Sequence, residues 1–380
     1  MPLIGAGTVV LEQGIERPGW VETSGARIVG RGAGAPPRQP DIDLPDAVIV
    51  PGFVDIHVHG GGGATYTNGD ASEIQRAAAF HLGHGTTTTL ASLVTASPAD
   101  LLAAVRVLAE STREGVVAGI HLEGPWLSAV HCGAHDHTQL RDPTPAEIDT
   151  LLAAGGGAIR MVTLAPERPG SQDAITRLVD AGVVVALGHT DSGYEQTRRA
   201  IDLGATIGTH LFNAMRAFHH REPGPALALL EDARVTVELI ADGVHVHPAV
   251  LTATIEATGS DRVALVTDAT AASGVGDGEF QLGTVSVEVV DRVARVRGTS
   301  TIAGSTATMD QLFGTVTGLG ADRDAGLVAA VRMTSTTPAR ALGLDGVGGL
   351  RVGAAANLVV LESDYQIKDV MANGSWVTAR

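Results

Sequence analysis

The chain has 380 residues, 44% hydrophobic and only 3% aromatic, enough apolar material for one large core and a smaller satellite domain. Its formal charge of -16, from 26 basic against 42 acidic residues, leaves no basic stripe to neutralise phosphates and argues against a nucleic-acid partner. No apolar run is long enough to span a membrane, the N-terminal "MPLIGAGTVVLEQG" lacks a signal pattern, and the single Cys132 excludes an intramolecular disulfide, so a cytoplasmic address is expected.

Residues 1–50 read as short strands and turns, in "TVVLEQ", "ARIVGRG" and "DAVIV". Eight short segments rich in Val, Ile, Leu and Thr follow, at 54–58, 86–91, 117–122, 159–164, 183–187, 206–210, 235–240 and 262–267. Between them lie amphipathic runs such as "SEIQRAAAFHLGHG", "PADLLAAVRVLAEST", "SQDAITRLVDAG" and "GYEQTRRAIDLG", each ending in Gly or a polar turn. Strand–helix alternation repeated eight times predicts the α/β class, as a (β/α)8 barrel of the TIM type. Next, "EFQLGTVSVEVVDRVARVRG" alternates with period two and predicts a β-hairpin inserted near 278–300. The C-terminal "ANLVVLESDYQIKDVMANGSWV" returns to the style of the first fifty residues. The two β-rich ends are expected to pair into one small discontinuous β-sandwich domain, 1–50 plus 347–380, beside a barrel of 51–346.

Polar chemistry gathers where such a barrel keeps its active site, at the C-terminal ends of the strands. Strand one ends in His57 and His59, strand three in Glu123, strand five in His189 and strand six in His210. Strand seven leads to Asp242 and His245, and strand eight ends in Asp268. Alternation puts His57 and His59 on one face. Imidazole and carboxylate are ligands of zinc and related divalent ions, so this constellation is read as a metal site. His81, His84 and His247 are read as structural, hydrogen-bonded histidines.

"PGFVDIHVHG" and the closing "GAAANLVVLE" resemble motifs of the amidohydrolase superfamily. More narrowly, "HLEGPW", "GHTDSGYEQ", "THLFNAM", "REPG", "ADGVHVHP", "VTDA" and "TIAGSTATM" together resemble the N-acetylglucosamine-6-phosphate deacetylase family, from about residue 50 to the C-terminus. The resemblance implies hydrolysis of N-acetyl-D-glucosamine 6-phosphate to D-glucosamine 6-phosphate and acetate. It also implies that Glu123, His189 and His210 hold a principal metal. Many binuclear relatives bridge their metals with a carboxylated lysine after strand four, but the only lysine here is Lys368, far beyond the barrel. Glu123 is then the candidate bridge. Because both His57 and His59 are present, two divalent ions per subunit are expected, zinc first, with iron, manganese or cobalt as alternatives.

In that scheme Asp268 is the general base that passes its proton to the departing amine, with a role as metal ligand or structural carboxylate as the alternative. Resemblance assigns the substrate to His135, Asn213, Ala214, Arg221, His245, Gly124, Ala303 and Gly304. Asn213, Ala214 and Arg221 would face the phosphate, and Arg221 would come from the neighbouring subunit of a homodimer. The loop "VHCGAHDH", with three histidines and Cys132, is read as a mobile substrate cover, with metal binding or a response to oxidation as the alternative. The competing functions are another amidohydrolase, of adenine deaminase-like or dipeptidase-like type, and, more remotely, a non-catalytic assembly protein that keeps the barrel.

Overall fold

The computed structural model describes residues 1–377, so the last three positions of the 347–380 segment lie outside the described residues. Two compact units make up the chain, one of residues 1–55, 79–88 and 308 onward, the other of 56–78 and 89–307.

In the first unit, eight strands form one hydrogen-bonded sheet. At its centre Ile42–Pro51 runs parallel to Leu3–Leu11 on one side and antiparallel to Leu358–Leu361 on the other. This strand therefore joins the two ends of the chain. One face buries Ile4, Val9, Ile28, Ile49, Leu358 and Val360. Compactness draws the boundary elsewhere than the division of 1–50 plus 347–380 by strand content. Helix Arg323–Val331 packs on Leu3–Leu11, Arg17 pairs with Asp324, and Arg332 Nε donates to the Glu12 carbonyl at 2.7 Å. These contacts tie the last helices to the sheet.

The eight strand segments expected from the alternation are all strands of a second, parallel sheet. In order they are Phe53–Asp55, Thr86–Leu93, Gly119–Glu123, Ile159–Leu164, Val184–Leu187, Ala205–Gly208, Thr236–Leu239 and Val263–Leu265. Beyond the last ladder rungs of strands one and eight, Asp268 N donates to His57 O and His59 N to Ala269 O, both at 2.8 Å. These bonds draw the first and eighth strand ends together and satisfy main-chain groups that burial would otherwise orphan. The intervening helices start on side-chain caps, Ser97 for Pro98–Arg113 and Thr144 for Pro145–Gly155. His247 has the structural role expected of it, capping Pro248–Thr258 by accepting from Ala249 N. No helix among the described residues is long and apolar enough to cross a membrane.

The expected hairpin near 278–300 is corrected to a three-stranded antiparallel meander, Gly278–Leu282, Val285–Val290 and Val293–Val296. Its first turn carries Gly283 at φ 57°, a conventional signal, but the second is Asp291 and Arg292 at φ 51° and 64°. Two left-handed residues suit a tight hairpin turn, and the absence of glycine there hid it. The meander buries Leu282, Val287, Val289 and Ala294 against Val94, Ala272 and Ala303.

One close approach in the first sheet sets a limit on its sequence. The parallel register slips between Ala6 and Thr8, and a Cβ at Gly7 would lie 2.0 Å from the Pro45 carbonyl oxygen. Backbone, not a side-chain tip, would have to move. Gly7→Ala is expected to destabilise the chain by about 1–3 kcal/mol, as overpacking does. Denaturant midpoints measure this, and an unchanged midpoint would show that the slip relaxes freely.

Candidate metal centre

Barrel strands three, five, six and eight each deliver a polar side chain to the same end, three of them from unusual backbone. His189, His210 and Asp268 have φ of 47°, 24° and 48°. Left-handed conformation is disfavoured for residues with a Cβ and persists only where surroundings over-determine it. Here hydrogen bonds do so. Ser128 N donates to His189 O at 2.9 Å, His210 N to Glu238 Oε2 at 3.1 Å, and Ser305 N to Asp268 O at 2.7 Å. The concentration of strain at three neighbouring polar residues marks a site.

Its hub is Glu123, last residue of strand three and buried. Oε1 lies 3.0 Å from His189 Nε2, 3.1 Å from His210 Nε2 and 3.4 Å from His57 Nε2. Oε2 lies 3.1 Å from His59 Nε2 and 3.2 Å from His135 Nε2. Asp268 Oδ1 closes the group at 3.2 Å from His59 Nε2 and 3.5 Å from His57 Nε2. Two trios have the spacing of metal ligands, His57–His59–Glu123 and Glu123–His189–His210, and the carboxylate is common to both.

Proton placement explains why cations fit. His59 Nδ1 faces the Ser92 carbonyl at 3.2 Å, His189 Nδ1 the His131 carbonyl at 2.9 Å, and His57 Nδ1 the Glu238 carboxylate at 3.0 Å. Those partners only accept, so each ring carries its proton on Nδ1 and turns a bare Nε2 toward Glu123. Nitrogen lone pairs then meet carboxylate lone pairs, and at His57–His59, 3.3 Å apart between Nε2 atoms, they meet one another, while His210 Nε2 lies 3.1 Å from His189 Nε2. Only protons or metal ions placed between them make that arrangement favourable. The donor set suits a divalent ion.

Without an ion, the protein's own charges act on each other. Burial opposes charge on His59, yet the Asp268 and Glu123 carboxylates outweigh it and raise its pKa to about 9. Burial would likewise raise Asp268, but His57 and His59 hold it at about 2, so this carboxylate is ionised. Burial prevails for His135, whose pKa falls to about 4 despite Glu123, leaving a neutral imidazole.

A cavity of about 400 Å³ opens over the hub. His59, Glu123, His189, His210 and Asp268 form its floor, and His135, Asn213, Ala214, His245 and Gly304 lie on its walls. The meander's Leu282 and the following Thr301 and Ile302 add a partly apolar side. His245 is held by Asp242, Nδ1 to Oδ2 at 2.8 Å; burial would lower its pKa, but the carboxylate's hydrogen bond and charge raise it. Gly124, Ala303 and Arg221 are not among the lining residues. Gly124 has φ 85°, and a Cβ there would meet Thr95 Oγ1 at 2.5 Å, which accounts for glycine at the turn leaving strand three. Ala303 is buried in the meander's cluster. Arg221 is exposed, with Nη1 2.8 Å from His220 Nε2. In the "VHCGAHDH" loop, His135 joins the hub and His131 pairs with Asp191, while Cys132 is half-buried.

Sequence reasoning passed over Glu238, His121 and Ser92. Each sits inside a barrel strand rather than at its end. His121 bonds Ser92 Oγ at 2.9 Å and Thr163 Oγ1 at 2.8 Å, forming a polar floor below the trios. The available signal was a polar residue at an inward position in "GIHLE" and "TVEL".

The chain matches the sequence profile of the amidohydrolase family over residues 48–377. The N-acetylgalactosamine-6-phosphate deacetylase of Escherichia coli O157:H7 is 36% identical, with 94% of this chain and 95% of that protein covered. The N-acetylglucosamine-6-phosphate deacetylase of Vibrio furnissii is 35% identical over 88% and 84%. Among solved structures, a Mycobacterium smegmatis N-acetyl-D-glucosamine-6-phosphate deacetylase, with one aspartate replaced by alanine and N-acetyl-D-glucosamine 6-phosphate bound, is 54% identical. It superposes with a TM-score of 0.97, covering 99% of this chain and 98% of that one.

An ion that binds only the folded hub adds its binding energy to stability, about 2.7 kcal/mol when free ion exceeds Kd a hundredfold. Exhaustive chelation is therefore expected to lower the unfolding temperature measured by calorimetry, and readdition of zinc to restore it. Identical melting with and without chelator would show that the trios hold protons only.

Proposed function

The chain belongs to the amidohydrolase family, and from that premise we infer that it hydrolyses N-acetyl-D-glucosamine 6-phosphate to D-glucosamine 6-phosphate and acetate. The observation that carries this reading is near-complete superposition on a deacetylase solved with that sugar phosphate, together with the Glu123 hub beneath a sugar-sized cavity.

Sharing of Glu123 by both trios supports two divalent ions, one with His57 and His59, the other with His189 and His210. Zinc suits the ligands, as do iron, manganese and cobalt. Such ions supply Lewis acidity, acidifying a water and polarising an acyl oxygen. The rest of the work belongs to side chains. Asp268, ionised and 3.2 Å from His59 Nε2, takes up a proton from the attacking water and returns it to the leaving amine. His245, kept charge-prone by Asp242, is a donor for a substrate oxygen, and neutral His135 is a second polar contact on another wall. Asn213 and Ala214 offer an amide and a main chain for the phosphate.

Arg221 lies outside its own cavity, which is consistent with a homodimer in which it reaches the neighbour's phosphate. A small-molecule metabolic substrate, absence of a crossing helix among the described residues and one cysteine fit a cytoplasmic address. A non-catalytic assembly role is disfavoured by the full ligand set. Adenine deaminase-like and dipeptidase-like activities are disfavoured by the phosphorylated substrates of the relatives. The E. coli relative is named for the galactosamine isomer, so that sugar phosphate is the second substrate to assay.

Acetate release from N-acetylglucosamine 6-phosphate, beside its galactosamine isomer and the unphosphorylated sugar, tests the activity. Turnover of the phosphorylated sugar, abolished by chelator, is expected; release from none of them would overturn the reading. In the same assay Arg221→Ala should raise KM for the phosphorylated sugar far more than for the unphosphorylated one, and equal effects would refute its phosphate role.

Metal analysis of two variants tests the site. His59→Ala should fall from two bound equivalents to one. Asp268→Asn should keep its metal and lose about 10²–10⁴-fold in turnover, the usual contribution of a positioned base. Loss of metal from Asp268→Asn would make the carboxylate primarily a ligand.

A further inference from the structure

Strand seven, Thr236–Leu239, contributes one residue that the chemistry above does not use. Glu238 is fully buried inside the barrel. Among the described residues no arginine or lysine pairs with it, nor with Glu123 or Asp268, so the three carboxylates have histidines as their basic partners. Burying an unpaired carboxylate is costly, and a protein keeps one only where its contacts compensate.

Those contacts are specific. Oε2 lies 3.0 Å from His57 Nδ1 and accepts the His210 backbone N–H at 3.1 Å, while the Glu238 carbonyl accepts Leu211 N–H at 2.8 Å. His57 belongs to one ligand trio and His210 to the other. His59 and His189 lean on neutral carbonyls, so His57 alone of these three has a charged acceptor behind its ring. At His210 the effect is on the main chain, where the left-handed turn at φ 24° is held by two consecutive N–H bonds to residue 238.

We propose that Glu238 is a positioning residue that couples the two ligand trios, fixing the ring of His57 and the backbone of His210 through one carboxylate oxygen. It belongs neither to the cavity lining nor to either trio. Its charge makes the His57 Nε2 a stronger donor, and its geometry keeps the His210 ring aimed at Glu123. The inference rests on the metal reading of the hub but not on the identity of the substrate.

Zinc titration of the full-length chain against a competing chromophoric chelator tests it, with wild type beside Glu238→Gln. The glutamine keeps the length and removes the charge, and its neutral oxygen accepts more weakly from both the His57 ring and the His210 main chain. Affinity is expected to fall about 10–100-fold at both sites together, the range seen when an outer partner of a metal ligand is lost. The metal-free variant should unfold no earlier than metal-free wild type, which separates positioning from general structural support. Affinity within threefold of wild type, a loss confined to one site, or an early-unfolding metal-free variant with unchanged affinity would overturn the proposal. Should Glu238→Gln prove insoluble, Glu238→Asp is titrated in its place. The shorter carboxylate draws the shared oxygen back from both contacts, and the same outcomes decide. If wild type binds a single equivalent, the two-ion reading fails by itself, and Glu238 is judged on the affinity of that one ion.

Discussion

Everything at the mouth of the barrel depends on one buried carboxylate. Glu123 meets four ligand imidazoles and His135 at hydrogen-bond distances, yet three of those rings are tautomerically committed to present bare nitrogens. A carboxylate ringed by lone pairs is unstable in a dry interior unless positive charge sits among them. With no arginine or lysine at hand, that charge falls to protons on the histidines or to divalent ions held between the two trios. The chain's one lysine, Lys368, belongs to the terminal sheet and pairs with Glu362.

Holding that hub open uses much of the local backbone. Strand ends normally relax into loops, but here they carry the ligands, and the hydrogen bonds that join strands one and eight pass through His57, His59, Asp268 and Ala269 themselves. Closing the barrel and orienting the ligands are thus one event. The left-handed residues at 189, 210 and 268 follow from the same demand, since a strand continued in extended geometry would carry the next side chain past the centre. The meander then supplies an apolar wall on one side of the cavity, with its own small core, while polar groups from the ends of strands one, three, five, six, seven and eight line the remainder.

Much of this was legible in the primary structure. Eight strands were visible because each is a short β-branched run bounded by turn residues, and the inner ligands because they stand at strand ends, where a polar residue interrupts an apolar run. Glu238 and His121 were harder. They lie within strands, and an inward polar side chain there resembles a register irregularity until its partners are known. The extra meander strand escaped for lack of a glycine at Asp291–Arg292, and the two short strands Gly14–Glu16 and Gly19–Ser24 for their proline and glycine content.

The sequence by itself determined the alternating architecture, the His57/His59 pair, the carboxylate at the end of strand three and the scarcity of lysine, because these are properties of spacing and composition. Only the tertiary structure decided that Glu123 belongs to both trios, that His135 joins the same carboxylate, that Arg221 stands outside its own cavity, and that the helices after residue 308 go with the terminal sheet. Such facts are distances between residues tens to hundreds of positions apart. Local sequence preferences set which element a residue joins, whereas the twist and closure of the whole barrel set which side chains meet.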